Sequence, residues 1–173
     1  MSKAKQIAFC AVMTALALAL SYMERFLPLQ MVVPLPGVKL GLANIVTLVA
    51  LYLLKPRHAF AILLPRCILG AVFGGGITGL LFSLTGGILA LGLMAWAKNR
   101  KLFSVYGVSM LGAAAHNIGQ ILAAMAVMRS VYVAAYLPWL LLVGILTGFL
   151  TGAACSGIIN PLKNAIVSRK TSR

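Results

Sequence analysis

The chain has 173 residues, 62% of them hydrophobic and 9% charged, with a mean hydropathy of +1.03. A soluble domain carries about 25% charged residues, so a water-soluble globular protein is excluded. Fifteen Lys or Arg stand against one acid, Glu24, with no Asp, which excludes magnesium sites, two-carboxylate glycosidases and aspartate-rich diphosphate sites built from this chain alone.

Hydropathy predicts span 1 at residues 7–23 and span 2 at residues 40–54,. Span 3 follows at residues 59–73, and later spans at 77–97, 105–128 and 134–159,. Six spans of about 20 residues take roughly 120 positions. Residues 1–173 are therefore read as a single integral membrane domain in the cell membrane, an all-α protein of six transmembrane helices. Lys3 and Lys5 before an apolar run with small residues at Ala15, Ala17 and Ala19 also fit a cleaved signal peptide,. The five spans that follow favour a retained first helix.

The segment from Glu24 to Lys39 contains Pro28, Pro34, Pro36 and Gly37, which prevent one continuous helix,. Its apolar side chains suit either a lid over an outward-facing pocket or a loop resting on the membrane interface. Residues 59–97, as one helix, would be about 58 Å long, about twice a hydrocarbon core. Two spans turning at Gly74-Gly75-Gly76 are expected instead.

An even number of spans puts both termini on one side. If that side is the cytoplasm, eleven cations lie inside and three outside (Arg25, Lys39, Arg129), in accord with the positive-inside rule. The basic residues are split among short loops and a tail, so the high pI does not describe a nucleic-acid surface. The glycine spacing at Gly74 to Gly79 is followed by Leu80 and Leu81, where a phosphate loop needs Lys and Ser/Thr. ATP hydrolysis is left to a partner. Cys10, Cys67 and Cys155 are scattered in apolar runs, and neither a metal nor a cofactor is indicated.

An ionisable group at membrane depth costs several kcal/mol unless it is paired, hydrated or set at a protein-lined cavity. Arg66 lies roughly 12 Å beyond the inner boundary by helical rise. It either satisfies the Ala61 carbonyl freed by Pro65 or offers its fork of donors to a carboxylate, phosphate or carbonyl-rich ligand. In span 5, His116, Asn117 and Gln120 fall at about 0°, 100° and 40° around the helix, which suits a lined pocket or polar contacts between helices. Asn44 and Thr47 project from span 2 at a similar depth. Asn44, Arg66, His116, Asn117 and Gln120 are thus the candidate substrate-binding residues, and the lack of an opposing acid at that depth favours an anionic or carbonyl-rich small molecule.

Glu24, next to Arg25, is expected to be an interfacial anchor worth under about 1 kcal/mol, with proton coupling as the alternative. Small residues recur every four positions as Ala11, Ala15 and Ala19 in span 1 and as Gly144, Gly148 and Gly152 in span 6, and both stripes permit close helix approach in lipid. The glycine stripe is assigned to packing within the bundle.

Two segments carry a family resemblance: Pro36 to Thr47, and Gly112 to Gln120 with His116-Asn117 at its centre. With Arg66 and the Gly-Gly steps that follow it, they resemble the Gx transporter family, also labelled component I of heptaprenyl diphosphate synthase. That family is similar to the substrate-binding (S) components of energy-coupling factor (ECF) transporters. The resemblance implies an ECF S-component-like bundle that binds a nutrient from outside. It also implies that Ala11, Ala15 and Ala19 dock on a membrane coupling subunit carrying two ATPases. The synthase label conflicts with the shortage of acids, so in a prenyl synthase the chain is expected to be a non-catalytic subunit. Two functions are carried forward: the substrate-binding component of an ATP-driven uptake transporter, or a non-catalytic membrane subunit serving prenyl diphosphate or quinone synthesis or membrane electron transfer.

Overall fold

Hydrophobic runs that meet no water must satisfy their own backbone, and in this chain they do so as helices. The computed structural model describes residues 3–26, 39, 41–100 and 102–171. In chain order the helices are α1 (Lys3–Met23), α2 (Asn44–Leu53), α3 (Pro56–Gly70), α4 (Gly76–Arg100), α5 (Val105–Met128) and α6 (Leu137–Thr171). Short 3-10 turns at Glu24–Phe26 and Val131–Tyr136 follow α1 and lead into α6. Five of the six helices are long and apolar enough to cross a membrane, so the chain is an all-α membrane bundle.

Helix α2 departs from the expected span at 40–54. It has ten residues, about 15 Å of rise and half a hydrocarbon core. The reason is local: Gly41 takes φ +82°, a left-handed value that only glycine adopts freely. The backbone then turns through Leu42 and Ala43, with the Asn44 and Ile45 amides bonded to the Gly41 and Leu42 carbonyls. Hydropathy registers an apolar run but not where its backbone changes direction. The helix therefore starts inside the bundle, and most of its residues are buried.

The turn between α3 and α4 falls where expected. Residues 71–75 form a wide helical turn that breaks at Gly74 (φ +108°), and Gly76 (φ +60°) opens the next helix.

The most extensive helix pairs are α4 with α5 and α5 with α6. Glycines make both possible. A Cβ at Gly119 would lie 2.7 Å from the Gly86 Cα, bringing the α4 and α5 backbones together. Along the other seam, Cβ atoms at Gly148 and Gly152 would lie 2.8 Å from the Met110 Cα and 2.9 Å from the Tyr106 Cα. The glycine stripe of α6 thus faces α5, as expected. Seam hydroxyls reinforce it, Ser109 with Thr151 at 2.7 Å and Tyr106 with Ser156 at 3.1 Å.

Helix α1 is different. Among the described helices it packs on α3 and α2, burying Thr14, Ala17 and Ser21 and leaving Ala11, Ala15 and Ala19 exposed. The proposed lid lies largely at residues 27–38, outside the described residues, but its two ends, Glu24 and Lys39, are within them.

Candidate functional site

The N-terminus of α2, the middle of α3 and the facing stretches of α4 and α5 meet in a polar cluster inside the bundle. Asn44, Thr47, Arg66, His116, Asn117 and Gln120 are all buried, each less than a tenth exposed. Burial alone does not put them in one place, and the contacts divide them.

Gln120 and His116 form the centre, with Gln120 Nε2 3.0 Å from His116 Nε2. Gln120 Oε1 accepts the Lys39 backbone N–H at 3.3 Å, which leaves its amide nitrogen as the donor to His116. The imidazole proton is then on Nδ1, the side that faces Gly86 of α4. A Cβ at Gly86 would lie 2.8 Å from His116 Nδ1, and one at Gly41 would lie 2.9 Å from Asn44 Nδ2 and 3.1 Å from His116 Cδ2. Two glycines on different segments therefore make the space that His116 occupies, and Asn44 stands beside it. Both polar atoms of the Asn44 side chain are buried without a hydrogen-bond partner, as is the hydroxyl of Thr47 one turn on.

Arg66 comes from α3. Its Nη2 lies 3.4 Å from where a Cβ on Gly87 would sit, and it makes a weak contact with Cys67 Sγ at 3.8 Å. The Arg66 Nε is buried with no hydrogen-bond partner. A guanidinium this deep is normally saturated by carboxylates or carbonyls, so its open donor is the least expected feature of the cluster.

Asn117 is turned elsewhere. It donates from Nδ2 to the Leu140 carbonyl of α6 at 2.6 Å and abuts Gly144 across the α5–α6 seam. The helical offset of about 100° from His116 is enough to take it to a different neighbour.

Two charged residues join the cluster that sequence reasoning placed at the surface. Glu24 is 3% exposed, and its carboxylate accepts the Leu42 N–H at the turn before α2. The expectation of an interfacial anchor is therefore corrected, and with it the premise that no acid stands at the depth of Arg66. The opening turn of α2 takes up the Asn44 and Ile45 amides but leaves that of Leu42 to a side chain, and the one acid of the chain accepts it at the positive end of the helix,. Burial pushes the Glu24 carboxyl above its ordinary range, while the Leu42 amide, Arg66, Lys39 and the Gly41 amide pull the other way. Lys39 reaches α4 as well as α5, with Nζ donating to Ser83 Oγ at 3.3 Å. The signal for Glu24 was available as a lone acid beside a ten-residue helix, but it required knowing that α2 begins at Asn44.

The cluster thus holds one carboxylate against two cations, Arg66 and Lys39, with His116 within their electrostatic reach. Among the described residues no group of three or more His, Cys, Asp or Glu that could hold a metal ion comes together. The arrangement is suited to holding an anionic or carbonyl-rich group at Arg66, with neutral donors and acceptors at Asn44, His116 and Gln120.

No curated protein and no solved structure matches the chain. A family profile does match, over residues 13–158, which takes in every helix that contributes to the cluster. By that match the chain belongs to the family described as heptaprenyl diphosphate synthase component I.

Proposed function

We propose that this chain is the substrate-binding membrane component of an ATP-driven small-molecule uptake transporter of the ECF type. The observation that carries the reading is Arg66, a buried guanidinium with an open donor in a cluster whose one carboxylate is already engaged by the Leu42 amide. A positive site at membrane depth is expensive when empty and is relieved by an anionic or carbonyl-rich ligand. Asn44, Arg66, His116 and Gln120 are the proposed contacts, with Lys39 closing over them from the loop. Asn117 is assigned to the α5–α6 seam.

The energy source in this reading is a membrane coupling subunit with ATPases, docked on the exposed Ala11, Ala15 and Ala19 face of α1. Both termini are assigned to the cytoplasm on the eleven-to-three division of basic residues,. The family description favours a second reading, in which the chain is a non-catalytic membrane subunit of a prenyl diphosphate synthase and the cluster holds a diphosphate head group.

Native mass spectrometry of the purified protein, run for both carried-over small molecules and copurifying proteins, separates the two. A nutrient-like ligand with an ATPase-bearing partner supports transport, and a soluble prenyl synthase in its place supports the second reading. Losing a charged hydrogen bond in a buried site costs about 1.5 to 3 kcal/mol, or roughly 10 to 150-fold in affinity. Arg66→Ala and His116→Ala are each expected to weaken the retained ligand by such a factor while the protein stays monodisperse. If both variants misfold, or bind unchanged per folded molecule, the pocket assignment is wrong.

A further inference from the structure

The groups of the polar cluster that lack a partner describe what would satisfy them. Among the described residues seven buried side-chain nitrogen and oxygen atoms make no hydrogen bond, and four of the seven belong to Asn44, Thr47 and Arg66. Protein interiors leave few such groups unpaired, so their concentration in one cluster outlines a complement.

Charge limits that complement first. Arg66 and Lys39 are the cations of the cluster, and Glu24 is the one carboxylate within electrostatic reach of both. His116 is neutral, since its Nε2 is the acceptor for Gln120 Nε2 at 3.0 Å. The sum is one net positive charge, which a single negative charge balances. A dianionic phosphate would leave one negative charge in excess at the same depth, where an unpaired ion is costly.

Position follows from α4. Gly86 and Gly87 lie three and four residues beyond Ser83, so the three share a face. Lys39 Nζ donates to Ser83 Oγ, His116 fills the space at Gly86, and Arg66 Nη2 lies beside Gly87. The Arg66 Nε has no partner, and Nη2 has only the weak contact with Cys67 at 3.8 Å. These two nitrogens form the guanidinium edge that takes a carboxylate in two parallel bonds. Asn44 stands at the Cδ2 side of the His116 ring, with its donor and its acceptor both open. A carboxamide in that state is matched by another amide edge, an N–H beside a C=O. Both positions lie within reach of His116, so one small molecule spans them.

Given the reading of this cluster as a ligand site, on which the inference rests, we propose that it takes a small monocarboxylic acid bearing an amide edge. The carboxylate sits at Arg66 and the amide edge at Asn44. Glu24 limits the accepted charge to one and is thereby a specificity determinant as well as the acceptor for Leu42.

The test titrates the purified full-length protein in detergent with hydantoin-5-acetic acid, which has both features. Three comparison probes each change one of them: cyclopentylacetic acid lacks the amide edge, 5-methylhydantoin lacks the carboxylate, and cyclopentylmethyl phosphate is a dianion. Hydantoin-5-acetic acid is expected to bind at least about tenfold better than each of the three. Asn44→Leu should remove its advantage over cyclopentylacetic acid, and Arg66→Gln its advantage over 5-methylhydantoin. Glu24→Gln keeps an oxygen for the Leu42 amide and should improve binding of the phosphate by about tenfold. Leu89→Trp on the outer face of α4 should change none of these, and thermal unfolding checks that each variant is folded. Binding of the phosphate as tight as that of hydantoin-5-acetic acid by the parent protein, or its indifference to Glu24→Gln, would overturn the charge assignment. Equal binding of cyclopentylacetic acid would overturn the amide edge. If none of the probes binds while native mass spectrometry finds a carried-over molecule that Arg66→Ala loses, the ligand class is wrong and the pocket stands. If no such molecule is found either, the ligand site itself falls.

Discussion

The two halves of the bundle solve the problem of helix association in lipid differently. In α4, α5 and α6 the backbones approach to near contact through Gly86, Gly119, Gly148 and Gly152, and the seam is stitched by hydroxyl pairs. In α1, α2 and α3 one helix is largely exposed and another is only ten residues long, and they pack through larger aliphatic side chains such as Val46, Leu48, Ile62 and Leu63, with the polar cluster at one level beside them. Lipid tails supply no hydrophobic drive between helices, so close packing makes the first half a rigid wall. The second half is tied to that wall by Lys39, which reaches Gln120 and Ser83, and by Cys155 on the Ile45 carbonyl, and the polar cluster lies where the two halves meet.

The largest expected effect breaks the wall. With Trp at position 148 the side chain would have to enter space already held by the Met110 backbone, since even a Cβ there lies 2.8 Å from its Cα. Backbone cannot give way as a flexible side chain does, and overpacking of this kind costs at least about 1 to 3 kcal/mol. Gly148→Trp should therefore fail to extract as a monodisperse protein. Ala15→Trp is the matched change on the exposed face of α1 and should leave folding intact, with affinity for the retained ligand within about threefold, under about 0.7 kcal/mol. It should abolish copurification of the coupling subunit. Size-exclusion profiles, ligand titration and pull-down read the three outcomes, and a well-folded Gly148 variant would remove the distinction between the halves.

A smaller effect is expected at the junction. Glu24→Ala leaves the Leu42 amide without its acceptor inside the bundle and should lower stability by about 1 to 3 kcal/mol. Glu24→Gln keeps an acceptor oxygen and should cost less. The pH dependence follows from burial: the native carboxyl holds its proton above the ordinary value of 4.5, so the native state binds protons more readily than the unfolded one. Its stabilising contribution is complete below that value and declines as pH rises through the raised one. Thermal unfolding of the parent protein should show this decline and that of Glu24→Gln should not. A parallel slope in both would assign the pH dependence to another group.

Much of this was legible in the sequence, for identifiable reasons. The turn at Gly74 to Gly76 and the packing face of the glycine stripe of α6 both follow from spacing along a single helix. What escaped depends on neighbours. Glu24 sits next to Arg25 in the chain but works against Leu42, eighteen positions away, and the start of α2 is set by the Gly41 turn, which a hydropathy window averages away. Lys39 counted only as an outside cation, although its backbone and side chain reach Gln120 and Ser83. Gly86 is part of the site because of what it lacks, and nothing in span 4 by itself shows that His116 needs the room.

The finest distinction lies within α5, where His116 and Asn117 are adjacent in sequence and serve different halves. His116 faces the Gly41 turn and Gln120, whereas Asn117 bonds to the Leu140 carbonyl across the seam at 2.6 Å. Removing that bond by Asn117→Ala leaves a buried carbonyl that retains its helical partner, so the loss should be close to that of one neutral hydrogen bond, about 1 kcal/mol. Interhelical bonds in membranes average somewhat less, about 0.6 kcal/mol, which sets the lower end of the expectation. Thermal unfolding in detergent should register this small loss, while the affinity for the retained ligand should stay within about twofold, or roughly 0.4 kcal/mol. His116→Ala should do the reverse, lowering affinity at least tenfold with a smaller change in unfolding temperature. If Asn117→Ala instead weakens the ligand as much as His116→Ala does, the polar sector of α5 acts as one surface, and the boundary between the wall and the pocket lies beyond Asn117, toward α6.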